Sequence, residues 1–245
     1  MSKTWIIPDL HGCSDTLKLV IEKQIKPDSD DRLVFLGDYI DRGPDSKGVI
    51  DYILELQKNG QPITALKGNH ESVCVKAYYN DRKKKPFLGV RSKTRTQKEW
   101  EQYGGGETLK SFGVKRPGDI PHEYIDWMNQ LDYFADLGKY VAVHAGFNFD
   151  LDDPYSDTSS MIWIRDYRVI PEKIDNKVII HGHVPVNLEF IDMTIKNKNT
   201  RLIDLDNGIY VTNQVGYGNL VVLELLSMEY KIQTTIDKIQ FSSSS

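Results

Sequence analysis

The chain has 245 residues, with 31 Lys and Arg against 35 Asp and Glu, so it is long enough for one sizeable domain and carries a net charge of only −4. That balance excludes an overall bias toward nucleic acid or anionic membranes, and no stable complex with either is expected. A composition of 40% hydrophobic and 27% charged residues is that of a soluble globular protein, and no apolar run approaches the length of a membrane span. Cys13 and Cys74 lie outside any CxxC pair, which excludes a disulfide framework, and no secretory signal is read at Met1-Ser2-Lys3-Thr4-Trp5, so a cytoplasmic protein is expected.

In chain order, five short apolar runs each end in a polar, Gly-bearing turn. Residues 4–7 run into Pro8-Asp9-Leu10-His11-Gly12, and residues 33–36 into Gly37-Asp38-Tyr39-Ile40-Asp41-Arg42-Gly43. Residues 63–66 run into Lys67-Gly68-Asn69-His70-Glu71, residues 140–143 into His144-Ala145-Gly146, and residues 178–180 into His181-Gly182-His183. Such runs read as buried strands. Between the early ones, Ser14 is expected to cap a helix to about residue 25, and Asp45 one to about residue 58, ended by Asn59-Gly60. Alternating strand and helix predicts parallel pairing in an α/β fold, while residues 201–205 and 220–225 predict late antiparallel hairpins. Residues 72–131 interrupt the scheme with helices near 72–80 and 121–131 around a basic, irregular stretch. They form a candidate lid or substrate platform. Stretch 82–98 holds eight Lys or Arg and no acid, leaving −12 for the rest of the chain; it reads as a solvated run or as a guide for a polyanion. Ser242-Ser243-Ser244-Ser245 reads as a disordered tail, which leaves residues 1–241 as a single domain.

Histidine is distributed unevenly: five of six, all but His122, sit in the turns that follow apolar runs. In open α/β sheets, ligands bind beyond the carboxyl ends of the strands. Asp9 and His11 are two apart, so an extended chain would send both side chains to one side, where they could share an ion. Asp38 has two oxygens and could bridge two ions about 3.5–4 Å apart. A donor set of carboxylate, imidazole and amide oxygen suits manganese first, with iron or zinc as alternatives. Gly12, Gly37, Gly43, Gly68 and Gly182 fit turns that need positive φ or close approach to a ligand.

Asp9-Leu10-His11-Gly12, Gly37-Asp38-Tyr39-Ile40-Asp41-Arg42-Gly43 and Gly68-Asn69-His70-Glu71 resemble the three signature motifs of the phosphoprotein phosphatase family of calcineurin-like metallophosphoesterases. His144-Ala145-Gly146 and Gly182-His183 are similar to its two later histidine motifs. The resemblance spans residues 6–183 and is nearest the compact bacterial and phage branch, which holds lambda-type protein phosphatases and symmetrical diadenosine tetraphosphatases. It implies a β-sandwich flanked by helices and two divalent metal ions. Asp9, His11 and Asp38 would hold the first ion; Asp38, Asn69, His144 and His183 would hold the second. His181 would lie behind the ligands or face substrate. Pro8 stands where the family usually has glycine, and Lys67 where protein phosphatases carry arginine.

These residues permit attack by a hydroxide held between two ions. His70 is the expected general acid, with Asp41 fixing its tautomer, and Arg42, Arg165 and Lys67 are expected on the phosphate. Asp206-Asn207-Gly208 resembles a late structural turn of the family. The substrate expected first is a phosphoserine or phosphothreonine protein, with a dinucleoside polyphosphate as the alternative. A non-catalytic phosphate-binding scaffold would require a lost ligand, and none is missing. Oligomeric state is not legible.

Overall fold

The computed structural model describes residues 2–84 and 92–239. The centre of the basic stretch and the serine tail expected to be disordered lie outside the described residues.

Strands β1 (Thr4–Ile7), β2 (Arg32–Phe35) and β3 (Ile63–Ala65) pair in parallel. β8 (Asn219–Glu224) joins β1 antiparallel and β9 (Tyr230–Thr234) joins β8 in the same sense, giving the order β3-β2-β1-β8-β9. A second sheet runs β4-β5-β6-β7, from β4 (Phe134–Asp136), β5 (Tyr140–Val143), β6 (Val178–His181) and β7 (Leu202–Asp204), with only β4 antiparallel.

Side chains alternate across each strand, and here both faces find a partner. Trp5, Ile7, Leu33 and Phe35 face the helices of the first flank. Ile6, Val34, Val221 and Leu223 face Ala142, Ile180 and Ile203 of the second sheet, forming the centre of the sandwich. Val141, Val143 and Ile179 pack outward under Phe147, Phe149 and Met161. Burial on both faces explains why the strands read as unbroken apolar runs. The result is a β-sandwich flanked by helices, the arrangement that the resemblance implied. Among the described residues no helix is long and apolar enough to cross a membrane.

Several helices follow the local signals. α2 (Ser46–Lys58) is capped by Asp45, whose carboxylate accepts from Gly48 N at 2.9 Å. α6 (His122–Gln130) lies within the expected span. α1 (Ser14–Leu19) runs into a π-helical turn to Ile25, but Cys13 takes the cap position, and the Ser14 hydroxyl donates to Asp45 instead. α3 (Asn69–Lys83) begins three residues earlier than expected, so Asn69 and His70 open a helix rather than end a loop. The late strands also differ from expectation. β7 is a parallel strand of the second sheet, and the only hairpin there is β8–β9, because pairing partners are chosen by long-range packing that a local pattern does not carry. α7 (Thr158–Trp163) and α8 (Leu188–Lys196) were not expected from the sequence.

The helical excursion packs into the fold. α4 (Arg95–Trp100) and α5 (Gly106–Ser111) join through a tight turn, and Trp100 is fully buried in the helix-side core. Part of the positive charge is matched on the spot, by Lys93–Glu101 and Arg95–Glu99 pairs at 2.6 Å each.

Candidate active site

The turns after β1, β2, β3, β5 and β6 meet at one end of the sandwich. Of nine non-glycine residues with positive φ among those described, five are His11, Asp38, Asp41, Arg42 and His183. Such backbone persists only where surrounding contacts over-determine it, and it clusters at functional sites. It also overturns the extended geometry expected for Asp9 and His11: β1 stops at Ile7, and His11 has φ 41°. Asp9 therefore turns toward the later histidines. Its Oδ2 accepts from His183 N at 3.1 Å, and its Oδ1 lies 4.0 Å from His144 Nδ1.

Glu71 holds the turns together. Its carboxylate accepts from Asp38 N, Tyr39 N and Gly68 N at 2.9–3.0 Å, tying the β2 turn to the start of α3. Burial first, and then the Asp38 charge, push its pKa up to about 8. Two glycines are required by crowding. Gly37 has φ 114°, and a Cβ there would come within 2.7 Å of Gly68 N; a Cβ on Gly182 would collide with Asp9 Oδ1.

Asp38 is the hub. Its Oδ2 lies 3.6 Å from His11 Nε2 and 3.8 Å from His70 Nε2, and its Oδ1 lies 3.5 Å from His144 Nε2. His144 Nε2 is also 3.2 Å from both Asn69 Oδ1 and His183 Nδ1. Two groups of potential ligands thus share Asp38: one with His11 and His70, the other with His144 and His183. His70 stands in the first group, where Asp9 was expected.

The donor chemistry fits cations. His11 Nδ1 must donate to Ile40 O at 3.0 Å, and His144 Nδ1 to Leu36 O at 3.0 Å, since carbonyls only accept. Each neutral ring therefore turns a lone pair at Nε2 toward carboxylate or amide oxygens. Acceptors facing acceptors in a buried site need a cation between them. At His11 one already stands there, the Arg42 guanidinium with Nη1 2.7 Å from Nε2. Asp9 Oδ1 and Asp206 Oδ2 are buried without hydrogen-bond partners, which makes the same demand. Burial and the neighbouring Asp206 and Asp38 charges hold the Asp9 carboxyl well above its ordinary range, and burial first brings Asp206 to about 7. Burial pushes His11 and His144 down, takes His183 to about 3 with help from His144, and takes His181 to about 4. Neutral imidazole is the form that binds metal.

A second arrangement lies beside the hub. His70 Nδ1 donates to Asp41 Oδ2 at 2.6 Å, and Asp41 also receives Trp100 Nε1 at 2.8 Å and the Thr108 hydroxyl at 2.6 Å. Burial works against protonated His70, but the Asp38 and Asp41 charges outweigh it and raise its pKa. Arg42 lies over the Tyr210 ring at 4.2 Å, and that ring meets His11 edge-on at 4.9 Å. The exposed Arg165 is near enough for its charge to depress His183.

Lys67 does not join these groups. Its ammonium donates to Asn129 O at 2.8 Å, at the end of α6, and lies 5.1 Å from the Tyr133 ring. His181 is buried, with Nδ1 2.9 Å from Gly182 O and Nε2 4.0 Å from Asp204 Oδ2. Glu71 was visible in its motif but had no role assigned. Trp100, Thr108 and Tyr210 carry no local signal, because they reach the site from 59, 67 and 168 positions beyond Asp41 and Arg42.

The family model described as Calcineurin-like phosphoesterase matches residues 2–212. The chain belongs to the calcineurin-like phosphoesterase family. Among curated relatives in sequence, it is 38% identical over 147 residues to a symmetrical bis(5'-nucleosyl)-tetraphosphatase of Bordetella pertussis, covering 58% of this chain and 43% of that one. It is 40% identical over 74 residues to serine/threonine-protein phosphatase 1 of Salmonella typhimurium, covering 30% and 32%. Matches to the curated relatives cover 26% to 43% of their lengths. In fold, this phosphoesterase is similar to a protein serine/threonine phosphatase structure from Saccharomyces cerevisiae, with TM-score 0.61, 14% identity and coverage of 97% and 81%.

Proposed function

We propose that this calcineurin-like phosphoesterase is a two-metal hydrolase, with manganese the first choice of ion, acting as one domain over residues 1–241. The carrying observation is the buried convergence of His11, His70 and His144 on the two oxygens of Asp38, with Asn69 and His183 both 3.2 Å from His144 Nε2. We assign Asp9, His11, Asp38, Asn69, His144 and His183 to the ions; Asp38 is the shared ligand. Bound divalent ions would supply an activated water and neutralise charge on the phosphoryl oxygens.

The chain's own residues do the rest. Arg42, released from His11 Nε2, and Arg165 orient the phosphoryl group. His70 gives its Nε2 proton to the leaving oxygen as the bond to phosphorus breaks and the water oxygen bonds in its place. Asp41 holds the His70 tautomer through Nδ1 and is itself held by Trp100 and Thr108.

For the substrate we infer a symmetrical dinucleoside tetraphosphate, cleaved to two nucleoside diphosphates. The 147-residue similarity to the Bordetella tetraphosphatase supports it. The second reading, a phosphoserine or phosphothreonine monoester, has the Salmonella relative in its favour. One purified sample with Mn²⁺ should be assayed in parallel on diadenosine tetraphosphate and on phosphoserine/threonine peptides. Faster dinucleotide cleavage, giving ADP as sole nucleotide product, is expected. Peptide turnover with an inert dinucleotide would reverse the order.

A further inference from the structure

We infer that Tyr103 divides two nucleobase pockets beside the candidate metal centre, so that each end of a dinucleoside polyphosphate has its own aromatic seat. This rests on the dinucleotide reading above.

The first cavity, of about 500 Å³, is walled by Tyr103 and Tyr210 and adjoins Arg42. The second, of about 330 Å³, is walled by the other side of the same loop, with Tyr103, Gln102, Trp163 and the α3 residues Val73 and Lys76. Both volumes fall within the roughly 300–1,000 Å³ range of small-molecule sites. Residues that line the two cavities connect to the site at different points. Arg42 and Tyr210 touch the His11 side. Val73 and Lys76 follow His70 on α3, and Trp163 stands two residues before Arg165, whose charge reaches His183. The Tyr103 ring itself lies 6.2 Å from the His70 ring, between the two.

The chemistry of the walls selects the occupant. Tyr103 and Trp163 are 47% and 39% exposed, large rings on the cavity walls rather than in the core. Exposed aromatic faces are platforms on which any base can stack. Gln102 lines both cavities and offers an amide to a base edge, while Glu101 and Glu107 in the first cavity are acceptors suited to ribose hydroxyls. Arg42 and Lys110 line the first cavity and Lys76 the second, so each offers a cation to an entering anion. A phosphorylated serine side chain would use the metals and Arg42 but would leave both aromatic walls unused.

The test uses the full chain with Mn²⁺ and the variants Tyr103→Ala, Trp163→Ala, Tyr103→Phe and Trp163→Phe. Both truncated rings are partly exposed, and calorimetric ADP binding reads the pockets without requiring turnover. ADP affinity should fall about tenfold in each alanine variant and return in the phenylalanine variants, as loss of base stacking predicts. The ratio of kcat/KM on diadenosine tetraphosphate to that on nitrophenyl phosphate should fall by a similar factor, through KM. Equal ADP affinity in the wild type and both alanine variants overturns the pockets, even if the dinucleotide is cleaved. A wild type that cleaves nitrophenyl phosphate but not the dinucleotide overturns the substrate reading instead, and the two-seat assignment with it.

Discussion

His70 is the residue on which binding and proton transfer must be separated, because it lies both against Asp38 and against Asp41. If its role is proton donation, His70→Asn keeps about two ions per chain and slows alkyl phosphate turnover by roughly 10²–10⁴. The loss should shrink on nitrophenyl phosphate, whose leaving group needs little protonation; equal losses, or loss of an ion, would make His70 a ligand. The Asp41 pair gives a pH test. Since the Asp38 and Asp41 charges raise the His70 pKa against the effect of burial, the acid form survives to higher pH than an ordinary histidine and is lost as pH rises through that raised value. Asp41→Asn removes one of the two supports, so the alkaline limb of the kcat/KM profile should move to lower pH. An unmoved limb would leave Asp41 a brace only. The histidines and Asp38 were legible in the sequence because each follows a strand within a few residues. Trp100 and Thr108, which fix Asp41, were not, since nothing near Asp41 marks a partner so far along the chain.

Among the elements, α2 shows a local rule carried through. Asp45 accepts from Gly48 N, the Ser14 hydroxyl and the Ser111 hydroxyl, joining α1, α2 and α5 at one carboxylate. Burial opposes the charged form, but these hydrogen bonds win and lower the Asp45 pKa. That contribution to stability is present above the unfolded pKa and fades as pH falls through the lowered folded value. Asp45→Ala should cost about 0.5–2 kcal/mol in denaturant unfolding at neutral pH. Asp45→Asn, which keeps the cap acceptor, should cost less; equal costs would assign the effect to charge rather than capping. The same region shows the limit of such rules. Ser14 looks like a cap by type and position, yet its hydroxyl is taken by Asp45, which only the folded arrangement of two helices brings near. The parallel pairing of β7 escaped for a related reason, since its register is set by β6, some twenty residues earlier, while β9 is an exposed edge strand whose residues alternate without an apolar run.

At the scale of the molecule, two packed sheets leave the strand-end turns as the place where polar groups gather, and that is where the candidate site lies. The α/β alternation and the site's location were readable from runs and turns. The division into two sheets was not readable from periodicity; the resemblance implied it, and the described part of the helical excursion packs into the helix-side core through Trp100, Leu109 and Ile125. The proposed hydrolysis depends on two ions held around Asp38. The direct measurement is metal content against activity: exhaustively chelated protein is titrated with Mn²⁺, and bound metal and nitrophenyl phosphate turnover are followed together. The account predicts no turnover in the chelated protein, saturation at about two ions per chain and full activity only as the second site fills, with Asp38→Asn weakening both sites at once. Full activity after chelation, or an Asp38→Asn variant that binds two ions as tightly as the wild type, would contradict it.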